Sequence, residues 1–205
     1  MANEYLLKEY DLNFEQLRYY DDRYNNTLKY LYTLSSAVVT ALFAVYGLSK
    51  NFSQGFFKCQ LSLSSVVFVA TLLLYLTMIQ NRLYFVFTAR QLNAIRGYCM
   101  GKEADTGGFK NNQLYTSTDF PALKPSSVHT FQLLGAALIS SLFAGISAYA
   151  LCPAFGQEPC TAAAILIFVV FAAIEIIGGF WYLVANGKKS ADQAIHGTKY
   201  ASQKK

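Results

Sequence analysis

Four long apolar blocks constrain this chain more than anything else in it. They run approximately over residues 31–48, 61–79, 130–151 and 161–185, and the only charged residue inside any of them is Glu175. A helix needs about 20 mostly apolar residues to cross a hydrocarbon core of ~30 Å. The last two blocks meet that length. The first two are shorter but are bordered by Tyr and Phe, which suit the membrane interface. Packing all four inside a water-soluble domain would need a polar cover. With 54% hydrophobic and 14% charged residues, the chain has too little to make one. The pattern predicts an all-α integral membrane protein with four transmembrane helices.

Orientation follows from Lys and Arg, which favour the cytoplasmic side of a membrane. Lys8, Arg18, Arg23 and Lys29 precede the first block. Arg82, Arg90, Arg96, Lys102, Lys110 and Lys124 lie between the second and third, and Lys188, Lys189, Lys199, Lys204 and Lys205 follow the fourth. The first short loop holds only Lys50 and Lys58, and the second holds none. Fifteen basic residues on one side against two on the other predict cytoplasmic termini, a cytoplasmic central segment and outward-facing short loops. The polar start of the chain lacks the pattern of a cleavable signal, so the first membrane helix is expected to direct insertion.

Cys152 and Cys160 bracket the second outer loop, with Pro153 and Pro159 just inside them. A disulfide between them would close a small loop in an oxidising compartment, and is expected here. Cys59, on the same side, is a rival partner. Cys99 falls on the reducing side.

No proline occurs before Pro121, which permits two unusually long helices. The first is expected from about Asn3 to Leu48. Its cytoplasmic part carries a heptad-like seam: Tyr10, Phe14, Leu17, Asp21, Tyr24, Leu28 and Leu31. Asp21 breaks the seam, either to set register or as an exposed acidic position. The second helix is expected from near Leu61 to about Cys99. Beyond the membrane it shows an apolar stripe of Phe85, Thr88, Leu92, Ile95 and Cys99. Phe14, Leu17, Tyr24 and Leu28 should pack on Phe85, Leu92 and Ile95, making a cytoplasmic helical stalk. The chain then divides into an N-terminal helix, hairpin and extension (1–100), a cytoplasmic linker (101–127), a second membrane hairpin (128–186) and a basic, mobile cytoplasmic tail (187–205).

Small residues at four-residue spacing let membrane helices approach closely. Ala137, Ser141 and Gly145 form one such row, and Ser36, Thr40 and Ala44 another. Either row fits contacts within one chain or between copies.

Little points to catalysis. His129 and His196 lie far from any motif partner, and no metal-ligand spacing, phosphate loop or nucleophile motif is present. An enzyme is not expected, nor is a cofactor or a metal site. Arg82, Arg90, Asn93 and Arg96 lie largely off the apolar stripe and are candidates for contact with a cytoplasmic partner or phosphate. Topology alone also accounts for their charge, and direct nucleic-acid binding is not expected. Glu175 is the one intramembrane ionisable residue, and such a group is costly unless protonated, paired or beside water. Phe171, Ala172, Gly178 and Gly179 share its helix face. It is read either as structural, satisfied by a neighbouring helix, or as part of a carboxylate ring lining a cation path in an oligomer.

The run Tyr19-Tyr20-Asp21-Asp22-Arg23, the hairpin, and the run Ala89-Arg90-Gln91-Leu92-Asn93-Ala94-Ile95-Arg96 resemble small multi-helix membrane effectors of bacterial antiviral systems, the SLATT and related families. The likeness covers roughly residues 5–100. It implies a homo-oligomeric inner-membrane effector or scaffold that acts with a separate cytoplasmic sensor and compromises the membrane by disruption or pore formation. The alternative is a small ion or solute channel or transporter using Glu175.

Overall fold

The computed structural model describes residues 2–49, 53–102 and 120–202. They form four helices: α1 (Ala2–Ser49), α2 (Gln54–Lys102), α3 (Val128–Ala154) and α4 (Thr161–Ser202). Each is long and apolar enough to cross a membrane. At 1.5 Å per residue, the 48 residues of α1 and the 49 of α2 would each reach about 70 Å, more than twice a hydrocarbon core.

Local chemistry sets where these helices begin and end. Before α2, the Ser53 hydroxyl accepts from the Phe56 amide at 3.3 Å. Before α3, Ser127 does the same for Thr130. Side-chain caps of this kind satisfy amides that have no partner in the first turn. At the end of α3 the amides of Phe155 and Gln157 donate to the Cys152 carbonyl, and that of Gly156 to Pro153. Gly156 adopts φ +80°, which a side chain would disfavour. The reversal is tied to α2 by Gln54, whose Nε2 donates to the Ala154 carbonyl at 3.0 Å. The fourth helix continues to Ser202, well past Asn186, where the apolar block gives way to the basic tail. Lys, Ala and Gln in that tail are good helix formers, and Gly187 and Gly197 cost only about 1 kcal/mol each.

The helices group into two compact units. One gathers the described residues of Met1–Tyr24, Gln80–Lys124 and Tyr182–Lys205, the other those of Asn25–Ile79 and Pro125–Trp181. The division cuts across α1, α2 and α4 rather than along the chain.

In the unit containing α3, that helix is the most enclosed. Half of its most apolar stretch is buried, against 11% for α1. Small residues make this possible. Ala136, Ala137, Ser140, Ser141, Ala144 and Gly145 are all buried, and a side chain at Gly145 would meet the Phe168 Cβ at 3.0 Å. The Ala137/Ser141/Gly145 row therefore serves contacts within the chain. The Ser36/Thr40/Ala44 row of α1 is exposed. Around α3, Val38, Val67 and Phe143 form one apolar cluster, and Phe57, Ala150 and Ala154 another. Phe68 and Phe171 meet edge to face at 5.1 Å. The outward faces carry Val66, Leu73, Ile165, Leu166, Ile177 and Trp181, all exposed.

In the other unit, the first half of α1 lies against the second half of α2. Tyr24 and Leu92 are buried, and Phe14, Leu17, Phe85 and Ile95 half-buried. Tyr20 stacks on Tyr84 with ring centroids 5.4 Å apart. Arg96 donates to the Tyr10 hydroxyl from Nε at 3.3 Å and Nη2 at 3.0 Å, and its guanidinium lies over the same ring. Asp21, the polar break in the seam, is half-buried and within electrostatic reach of the Arg82 guanidinium. Leu28 falls in the α3-containing unit and is half-buried.

Candidate functional site

Glu175 lies on the inner face of α4 in the α3-containing unit, only 6% exposed. Ala172 and Gly179 share that face and are buried, whereas Gly178 points to open space. Helix α2 comes very close here. The Tyr75 hydroxyl donates to the Glu175 backbone carbonyl at 2.6 Å. A Cβ at position 179 would overlap that hydroxyl and approach Ile79 Cδ1 at 2.9 Å, so only glycine admits the tyrosine. From α3 the Ser140 hydroxyl faces the Glu175 carboxyl. The two stop short of hydrogen-bond geometry, and both carboxyl oxygens and Ser140 Oγ are buried without a hydrogen-bond partner among the described residues. The site thus joins three helices through one carboxyl and two hydroxyls, inside a single chain.

Two of the arginines that lie off the apolar stripe are buried. Arg82 is 5% exposed and Arg90 6%, and Asn93 is buried as well. Arg82 Nε donates to the Ala122 carbonyl at 3.2 Å, with its guanidinium over the Phe85 and Phe120 rings. Arg90 donates from Nε and Nη2 to the Phe120 carbonyl and from Nη1 to the Gly187 carbonyl at 2.6 Å. Gly187 packs so tightly that a Cβ there would lie 2.7 Å from the Ala122 Cβ. The cause lies in residues 120–122. They are not helical, Pro121 interrupts them, and their carbonyls need donors that no helix supplies. Arg82, Arg90 and Asn93 are buried within the chain, and Arg96 rests half-buried on Tyr10.

The cysteine expectation is also corrected. Cys59, Cys152 and Cys160 are free thiols. Cys152 lies in the last turn of α3, where its carbonyl accepts two amides of the reversal. Cys160 precedes α4 and caps it by accepting from the Ala164 amide. Each backbone is fixed by its own helix end rather than by a bridge. Cys99 lies outside the residues whose side chains are described. No group of three or more His, Cys, Asp or Glu side chains able to hold a metal ion occurs among the described residues.

The partners of Glu175 were hidden in the sequence. Ser140 stands beside the Ala137/Ser141/Gly145 row, and Tyr75 is one aromatic in an apolar block. The nearest signal was Gly179, one helical turn after Glu175, which marks a close neighbour. Neither a protein-family model, nor a curated protein, nor a solved structure matches the chain.

Proposed function

We propose that this chain is the membrane subunit of a two-component bacterial defence effector. In this reading it spans the inner membrane four times, with both termini and the central segment cytoplasmic. It assembles with copies of itself and works with a separate cytoplasmic sensor protein. The observation that carries the reading is the length of α1 and α2. Each exceeds a bilayer crossing of about 20 residues by nearly 30 residues. The surplus of both lies in one unit, rich in Arg and joined by Tyr20–Tyr84 and Arg96–Tyr10, as a stalk presented to a cytoplasmic partner would be. Exposed Val66, Leu73, Ile165, Ile177 and Trp181 on the other unit suit acyl chains or further copies. The defence role rests on the resemblance of residues 5–100 to membrane effectors.

The alternative, a small channel or transporter, draws on the unpartnered Glu175 carboxyl. Its burial within one chain favours a path inside a single helix bundle over a ring between copies. The two readings part on the native complex. Extraction in mild detergent should give an assembly of several copies with a cytoplasmic protein, and release of that protein from control should make the membrane leak. A lone chain that conducts a selected ion without a partner supports the channel. A lone chain with no effect on permeability contradicts both.

A further inference from the structure

Two clefts follow one another along α3, and Tyr149 lines both. The residues that α3 gives them, Leu142, Gly145, Ile146, Tyr149 and Pro153, recur at helical spacing along one stripe. At 1.5 Å per residue that stripe is about 16 Å long. The first cleft, of about 250 Å³, lies between α3 and α4. Leu142, Ile146, Ala164, Ile165 and Phe168 make it apolar, with Gln60 of α2 at its edge. The second, of about 500 Å³, lies at the loop end, where α2 begins and α3 ends. Here Phe57 and Tyr149 set two rings 6.4 Å apart, tilted by 58°. Gln54, held through Nε2 on the Ala154 carbonyl, lines it too, with Gln157 and Glu158. Glu158 is the only charged residue lining this cleft; no Lys or Arg among the described residues does. Ring faces attract cations, and an unpaired carboxylate repels anions. The second cleft therefore suits an organic cation, and the first an apolar chain.

We infer that the two clefts together hold one phospholipid with an ammonium headgroup. The amine lies among Phe57, Tyr149 and Glu158, and an acyl chain runs along the α3 stripe between α3 and α4. Lipid tails are as apolar as Leu, so inside a bilayer the first cleft gives packing and little discrimination. The second cleft decides the headgroup. Glu158 is exposed and follows the apolar stretch of α3, at the level where headgroups lie. Its charge is thus met at the interface and not within the hydrocarbon. A headgroup of net negative charge would find a carboxylate here and no cation. The inference rests on the membrane-spanning part of the proposed function and is independent of the defence role.

The test is native mass spectrometry of the full-length protein in detergent, titrated with phosphatidylethanolamine or phosphatidylglycerol of identical chains. The ethanolamine lipid should bind about tenfold more tightly, the combined size of an exposed ion pair and a cation–π contact. Glu158→Gln, at an exposed position, should cut that preference to about threefold, and Tyr149→Leu should do the same. If Tyr149→Leu fails to fold, Glu158→Gln decides. Phosphoethanolamine, the headgroup without chains, should not displace the bound lipid. A phosphatidylethanolamine with a photoreactive diazirine in its acyl chain should mark the peptide that contains Ala164 and Phe168, and mark it less in Glu158→Gln. Equal binding of the two lipids, or a preference that survives intact in Glu158→Gln, would overturn the site. Displacement by phosphoethanolamine would overturn the lipid and leave a site for a soluble amine. A chain that stays folded and soluble without detergent would remove the membrane reading itself, and this site with it.

Discussion

The Tyr75 hydroxyl on α2 donates a 2.6 Å hydrogen bond to the backbone carbonyl of Glu175 on α4. A helix carbonyl already accepts from the amide one turn ahead, so this bond uses its second lone pair. It is possible only because residue 179, one turn further on, has no side chain. Tyr75, Glu175 and Gly179 therefore behave as a unit. Tyr75→Phe should cost about 1 kcal/mol, the net worth of a neutral buried hydrogen bond. Gly179→Ala should cost about 1–3 kcal/mol through overpacking. The two should not add. Removing the hydroxyl clears the nearest obstacle to the new methyl, so Gly179→Ala should cost less in the Tyr75→Phe background. Melting temperatures of the four proteins in one detergent check this, and full additivity would contradict the contact.

Arg90 should matter for stability out of proportion to a basic residue near a helix end. Its guanidinium ties the Phe120 and Gly187 carbonyls to α2. Arg90→Lys keeps the charge but loses the planar fork. Loss of charge-assisted bonds of this kind costs roughly 1.5–3 kcal/mol. Protease cleavage at residues 120–124 should accelerate accordingly. Gly187→Ala should act in the same direction, because its methyl would press on Ala122. Cleavage at the native rate in both variants would show that the arginine joint does not hold this segment.

Tyr24 should anchor the packing of α1 on α2. It is 2% exposed. Tyr24→Ala should destabilise the protein by about 3–5 kcal/mol, the range for truncating a large buried ring. Tyr19→Ala, at an exposed position five residues earlier, should stay within about 0.5 kcal/mol. Similar melting temperatures for the two variants would argue against this seam.

The cysteines should respond to alkylating reagents rather than to reductants. Cys59 and Cys160 are exposed free thiols, and Cys152 is half-buried. Peptide mapping without reductant should recover the Cys152 and Cys160 peptides separately, and reductant should leave the melting temperature unchanged. A joined peptide would contradict the free thiols.

The helices were legible because their signal is coarse. Four apolar blocks and their polar connections specify most ends of α1 to α4 to within a few residues, while α2 starts earlier, at Gln54, and α4 runs on to Ser202. The burial of Tyr24 and Leu92 was legible for the same reason: both recur at helical spacing among apolar neighbours. Arg82 and Arg90 were not, because a single-stripe reading assumes one neighbour per helix. The α2 extension also buries the side carrying Arg82, Val86, Arg90 and Asn93. The non-helical stretch around Pro121 held the missing clue, since its carbonyls need donors from somewhere. Glu175 stood out at once by its charge. Ser140 and Tyr75 did not, because hydroxyls in apolar helices are common, and only the three-dimensional packing shows which of them lacks a bond to its own helix. The disulfide expectation rested on spacing in the sequence, which says nothing about how two helix ends hold their backbones.

Central to the account is a chain that crosses the membrane four times with its termini and central segment inside. The most direct measurement is labelling of single cysteines in intact cells by a membrane-impermeant maleimide. With Cys59, Cys99, Cys152 and Cys160 replaced by serine, one cysteine is introduced at Glu158 in the short loop, or at Gly107 in the central segment. The account predicts that Glu158→Cys is labelled in intact cells, and that Gly107→Cys is labelled only after the membrane is permeabilised. Labelling of Gly107→Cys in intact cells, with Glu158→Cys protected, would contradict it.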